Sequence, residues 1–234
     1  FEDNLTAKWP SGFQACVISA AEDSDLLEAE NWTISNKIIP NPKDFPDEWG
    51  GELGFGWLEG NMVAAPDGTL YNILRIYSVP EPDKAVIMRV TEEGKKLNFN
   101  PKHDLIDLPG GAHKFTIRYD AESKLYLTLS NNNTSRDFFS QRNILSLCAS
   151  TDLLHWQVIA PLLTDESGLN PSDSLRLTGF QYADWQIDGE DLIYLVRTAW
   201  RGAIGFHDSN RITFHKLKNF RKLLQGKGDK NNAM

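Results

Sequence analysis

The residues with the clearest capacity for chemistry are a glutamate, a tyrosine and two arginines at wide spacings. Glu59 stands 16 residues before Arg75, and Arg142 stands 40 before Tyr182. A tyrosine hydroxyl, with an ordinary pKa near 10, is a poor nucleophile at neutral pH unless a neighbouring carboxylate accepts its proton, a role open to Glu59. A neutral nucleophile of this kind avoids repulsion from an anionic substrate. Two guanidinium groups, Arg75 and Arg142, can hold a substrate carboxylate through paired hydrogen bonds. Asp184 lies two residues beyond Tyr182, and strand alternation would place it on the same face. His113, in Gly110–Lys114, and His207, in Gly205–Arg211, are candidates to hydrogen-bond hydroxyl groups. Each has a plainer alternative: Tyr182 as a core residue with its hydroxyl satisfied, Arg75 as the partner of a neighbouring Asp in its blade. None of the histidines shows metal-ligand spacing, so no metal and no cofactor is expected.

The elements that must position these residues read as strands. Short runs rich in β-branched and aromatic residues recur along the chain, with few helical periods. The expected strands are Phe13–Ala20, Trp32–Ile38, Met62–Ala65, Leu70–Tyr77, Ala85–Val90, Phe115–Tyr119, Leu125–Asn131, Ile144–Ala149, Trp156–Ala160, Tyr182–Ile187, Leu192–Thr198 and Ile212–Leu217. Turn signals separate them, among them Pro66-Asp67-Gly68, Asp120–Ser123 and Asp188–Asp191. Three segments repeat one plan at a period of about 50 residues, in which two strands joined by a turn are followed by a loop and further strands. That period predicts an all-β fold of the β-propeller type. A second echo agrees: Ser19…Asp25-Leu26-Leu27…Trp32 resembles Ser150-Thr151-Asp152-Leu153-Leu154-His155-Trp156, a turn that ties an outer hairpin together.

On this plan residues 1–222 hold a half-blade and about three further blades, and residues 223–234 a polar disordered tail. The candidate residues fall where propellers collect their ligands, in Trp57–Asn61, Gly110–Lys114 and Gln181–Trp185 at the starts of the repeats, with Arg142 opening a third strand. The chain opens on Phe1 without an initiator Met or a targeting segment, so it is expected to be the later part of a longer protein.

Composition narrows the function classes. The 234 residues carry 24 Lys+Arg against 32 Asp+Glu, a net charge of −8, with no basic stripe, so nucleic acid is not an expected partner. No apolar run reaches the ~18 residues of a membrane span. Two cysteines do not make a disulfide scaffold, and both Cys16 and Cys148 are expected as buried free thiols. Seven Trp and 12 Phe supply core and, in a polar chain, surfaces on which sugars stack. Sequons at Asn4, Asn31, Asn132 and Asn133 would matter only in a secreted eukaryotic protein.

Glu59, Pro66-Asp67-Gly68-Thr69-Leu70 and Arg75, followed by Arg142 with its strand and Asp152, and then Tyr182, resemble in order and spacing the sialidase (neuraminidase) superfamily. Its members are six-bladed propellers with Asp-box turns that cleave terminal sialic acids. The resemblance covers roughly Trp57 to Thr198. It implies a secreted or periplasmic glycosidase acting on an acidic glycan, with Tyr182 as nucleophile, Glu59 as its base, and Arg75 and Arg142 as two members of a carboxylate clamp. The family's first clamp arginine and its acid aspartate have no clear counterpart here, and the turn at Ser150–Trp156 is one residue shorter than a regular Asp-box and lacks its glycine. Two other glycan-directed readings stay open. Glu59-Gly60-Asn61 before Leu70-Tyr71 also resembles the acid segment of five-bladed furanosidases, which work with paired carboxylates. A non-catalytic carbohydrate-binding propeller would present the same face without chemistry. A polysaccharide lyase would likewise combine Tyr, His and Arg to handle a uronate.

Overall fold

The structure, a computed structural model, describes residues 8–225. The chain is all-β and divides into two compact units, the first running to Glu81 and adding Ala85–Ile106, the second taking Pro82–Lys84 and the chain from Asp107 onward. In the first unit, β1 (Ile18–Ser19) and β2 (Thr33–Ile34) form a two-stranded sheet. A larger antiparallel sheet follows in the order β3 (Gly56–Ala64), β4 (Leu70–Tyr77), β5 (Lys84–Thr91), β6 (Lys96–Asn98), with β7 (Leu105–Asp107) also paired to β5. Its core is aromatic. Phe45 stacks on Phe55 at 3.8 Å, and Trp57 meets Phe45, Phe55 and Phe99 edge-on at 5.4–5.6 Å. The Trp57 indole N–H donates to the Ile38 carbonyl, so this large ring is buried with its polar edge satisfied.

The second unit holds two sheets. One is the meander β8 (Ile117–Asp120), β9 (Leu125–Ser130), β10 (Ile144–Ser150), β11 (Trp156–Thr164). A short helix, α1 (Pro171–Leu177), leads to β12 (Gly179–Asp188), β13 (Asp191–Ala199) and β14 (Arg211–Leu217), and α2 (Arg221–Gln225) follows. Alternation decides which faces meet: Leu127, Leu129, Leu145 and Leu147 pack with Phe180, Trp185, Tyr194, Val196 and Phe220 in one core.

The strand plan of the sequence therefore stands, with instructive differences. Leu70–Tyr77 has the expected bounds, but the strand before it begins at Gly56, so Trp57–Asn61 lies inside β3 and not ahead of it. The long runs Phe13–Ala20 and Trp32–Ile38 pair only over two residues each, plus a single bridge from Ala15 to Ile38. The expected tail starts at Leu223, where α2 continues to Gln225; residues beyond 225, and Asn4 with its sequon, lie outside the described residues. Both cysteines are free thiols, but Cys16 is exposed and only Cys148 is buried.

The Ser-Asp-Trp echo is a shared structural device. Asp152 Oδ1 accepts from the backbone N–H of Leu154, and Asp25 Oδ1 from that of Leu27; each tryptophan indole then donates to the carbonyl one residue after the aspartate, Trp156 to Leu153 and Trp32 to Leu26. Burial works against the Asp152 charge, but hydrogen bonds from the His155 ring, two backbone N–H groups and Ser150 outweigh it and hold the carboxyl at about 2, below its ordinary 3.8. A group with a depressed folded-state pKa stabilises above its unfolded value and loses that contribution as pH falls through the folded one. Asp152→Asn is therefore expected to cost about 1 kcal/mol at neutral pH, less as the pH falls below about 4, and almost nothing well below about 2, measured by denaturant unfolding at neutral and acid pH.

Candidate functional site

In the first unit the structure brings Glu59 and Arg75 together. β3 and β4 pair at Trp57↔Ile76 and again at Gly60↔Leu74, so Leu58 and Glu59 stand opposite the single residue Arg75. This is a β-bulge, which re-aims a side chain out of simple alternation. Glu59 Oε2 accepts from Arg75 Nη1 at 2.9 Å and Oε1 from the same nitrogen at 3.3 Å. Arg75 is buried, whereas the Glu59 side chain is 40% exposed, so its charge is held by the guanidinium at a half-open position. Gly60, where the register resumes, sits close to Asn72: a Cβ there would lie 2.4 Å from Asn72 Oδ1 and would push that side chain aside.

In the second unit β12 is built the same way. It pairs with β13 at Gln181↔Arg197 and resumes at Asp184↔Leu195, leaving Tyr182 and Ala183 opposite Val196. Tyr182 takes a left-handed backbone, φ +52°, which costs a bulky residue about 1–2 kcal/mol and is kept only where the surrounding fold imposes it. The Arg197 guanidinium lies 5.0 Å from the centre of the Tyr182 ring. Arg197 also donates to the His207 carbonyl, so His207 bears on the site through its backbone, with an exposed ring position in the β13–β14 loop. The expectation that Asp184 shares a face with Tyr182 is corrected by the bulge that separates them. Asp184 accepts from Arg118 at 2.9 Å, an exposed pair.

Arg142 is buried just ahead of β10, its guanidinium 5.4 Å from the Phe206 ring centre, and it donates to the Gln181 side-chain oxygen. Gln181 in turn donates to the Phe206 carbonyl, and Gly179 admits that loop, because a Cβ at 179 would lie 2.5 Å from the same oxygen. Asn131 ties these segments with its amide, donating to the carbonyls of Phe180 at 2.7 Å and Ile144 at 3.0 Å. His113 is buried beside Phe139, its ring at 5.9 Å and 67°. Tyr194, on β13, is a core tyrosine: burial pushes its hydroxyl up to about 12.

The two bulges are parallel constructions. In each, the first strand of a sheet bulges at the candidate residue, and the second strand supplies the arginine that contacts it. Arg197 was missed from the sequence, although a signal was there: Arg75 lies five residues past Leu70 in LYNILR, and Arg197 five past Leu192 in LIYLVR. Gln181 and Arg118 carried no such signal. Among the described residues no group of three or more His, Cys, Asp or Glu is placed to hold a metal ion, and no helix is long and apolar enough to cross a membrane.

No protein-family model matches the sequence, and no curated protein matches it. Solved structures do resemble the fold. The α-L-arabinofuranosidase Arb93A of Fusarium graminearum, solved with an iminosugar inhibitor, is similar at 15% identity and a TM-score of 0.50, over 74% of this chain and 48% of that one. The intramolecular trans-sialidase of leech aligns over 84% of this chain and 27% of its own, at 15% identity and a TM-score of 0.49. An α-L-arabinanase of Penicillium chrysogenum aligns at 16% identity and a TM-score of 0.46, over 74% and 48%. The chain thus spans about half the length of the arabinofuranosidase. At such identities the likeness is one of fold, and with the repeated antiparallel sheets it makes this an all-β chain of the β-propeller type.

Proposed function

We propose that this chain forms blades of a propeller glycoside hydrolase that removes a terminal sugar from a glycan. The observation that carries the reading is the repeated bulge with its cross-strand arginine, which singles out Glu59 and Tyr182 on the first strands of their sheets. Bulges and left-handed non-glycine residues cluster where a side chain must be aimed for function. In the finer reading the sugar is acidic, as in sialidases. On the sequence resemblance, Tyr182 would supply the nucleophilic oxygen, Glu59 would accept a proton, and Arg75 and Arg142 would bind the carboxylate, with His113 and His207 for the hydroxyl groups.

A second reading rests on one contact. Arg75 is already paired with Glu59 at 2.9 Å, which favours an enzyme whose Glu59 carboxylate does acid–base work on a neutral furanoside. Aryl glycosides separate the two. Full-length protein that cleaves an aryl α-sialoside fits the first reading; cleavage of an aryl α-L-arabinofuranoside alone fits the second. Folded protein that binds glycans and hydrolyses neither substrate overturns both and leaves a binding propeller.

A further inference from the structure

A cleft of about 260 Å³ opens in the second unit between two sheet edges, lined by Leu162, Leu163 and Thr164 of β11 and by Arg211, Thr213 and His215 of β14. Trp200 and Phe180 form an aromatic wall, with ring centres 6.2 Å apart and planes inclined at 39°. Beside those rings, on the sheet face where Phe180 and Thr198 are cross-strand partners, runs a chain of hydroxyl and imidazole groups: Thr198 Oγ1 lies 2.9 Å from Thr213 Oγ1, which lies 2.8 Å from His215 Nε2. Burial keeps the His215 imidazole below its ordinary range, so at neutral pH the ring is uncharged and offers a donor and an acceptor. The stacked Tyr194 ring, 5.0 Å away at 19°, fixes its orientation. Glu166 and Arg211 stand exposed at the rim, one charge of each sign.

We propose that this cleft is an accessory carbohydrate-binding site for one neutral sugar ring of a glycan. The volume lies just below the range of about 300–1,000 Å³ typical of drug-sized ligands, which suits a ligand of monosaccharide size. A sugar has an apolar face of C–H groups that stacks on an indole, and a periphery of hydroxyls that both donate and accept. The cleft offers the complement of each: the Trp200 ring for the apolar face, and beside it Thr198, Thr213 and a neutral His215 for the hydroxyls. The balanced rim charges give no net attraction for an anion, which separates this ligand from the acidic sugar of the finer hydrolase reading. The site is independent of hydrolysis. Tyr182, Glu59, Arg75 and Arg142 are not among its lining residues, so it can hold a glycan chain whether or not the chain is cut.

The test is titration of the full chain with neutral methyl pyranosides and methyl furanosides, followed by indole N–H chemical shifts. Millimolar binding is expected, with the Trp200 signal among those that move, since a single ring in an open cleft buries little surface. Trp200→Ala should weaken binding at least about tenfold, and Thr213→Val, which keeps the side-chain shape and removes the hydroxyl, should weaken it several-fold. Tyr182→Phe should leave this binding unchanged, so that failure of the hydrolase reading and failure of this one are distinguishable. A folded protein whose Trp200 resonance moves with none of the glycosides overturns the proposal, as does binding that survives both cleft substitutions.

Discussion

Tyr182→Phe is expected to lower kcat of the full-length protein on an acidic glycoside by at least about 10³-fold, equivalent to about 4 kcal/mol of transition-state stabilisation, with KM changed only a few-fold. The substitution removes one hydroxyl and little else. Phenylalanine keeps the ring that faces the Arg197 guanidinium at 5.0 Å, and it meets the same left-handed backbone at φ +52°, so neither packing nor strain should change. The loss would therefore report the oxygen. A loss in kcat with intact KM is the signature of a group used in the transition state more than in substrate binding. Wild-type turnover in a Tyr182→Phe protein with unchanged thermal unfolding would remove Tyr182 from the mechanism. If Glu59→Gln were inactive in the same assay, the carboxylate reading would take its place.

The largest effect on stability is expected at Arg221→Ala, about 3 kcal/mol, or roughly 6–12 °C in Tm. Arg221 Nε and Nη2 donate to Asp120 Oδ2 and Oδ1 at 2.9 and 2.8 Å, a two-pronged pair between residues 101 apart in sequence. The Asp120 side chain is only 3% exposed and that of Arg221 12%, so solvent does little to screen the interaction. Burial alone would raise the Asp120 pKa, but the hydrogen bonds from Arg221 and Ser123 hold it below the ordinary carboxylate range. Removing the arginine leaves a buried carboxylate without its cation, which costs more than the pair contributed. Glu122 and Glu190 also surround Arg221, at 3.1 and 3.6 Å, and would then repel Asp120. The double substitution Asp120→Asn with Arg221→Ala should recover a good part of the loss, because no charge is left buried. If the double variant is no more stable than Arg221→Ala alone, the pair is not the cause.

The strands and turns were legible because their signals are local. Leu70–Tyr77 is a short run rich in aliphatic and aromatic residues between the turn residues Pro66-Asp67-Gly68 and Pro80, and Asp188–Asp191 marks a hairpin where β12 meets β13. Elements of three residues, β6 and β7, gave no period to read. Helix α1 did carry a signal that went unread: Asn170 before Pro171 is a cap followed by a first-turn proline, and the Asn170 side chain accepts from the Asp173 N–H at 2.9 Å. The candidate residues were legible as types in an order. Their partners were not: even Glu59 and Arg75, singled out by their spacing of 16, were read as base and substrate clamp and not as each other's ion-pair partner.

By itself the sequence determined the all-β repeat, the turn chemistry of Asp25 and Asp152, and which side chains could do chemistry. The tertiary structure decided where those side chains point. Alternation places successive residues on opposite faces only while the register holds, and a bulge in β3 and another in β12 break it at Glu59 and Tyr182. It also chose the long-range partners, Arg197 for Tyr182, Gln181 for Arg142 and Arg221 for Asp120. A bulge depends on which strand lies alongside, and an ion pair on how the intervening chain folds back, so neither is written in the local pattern of residues.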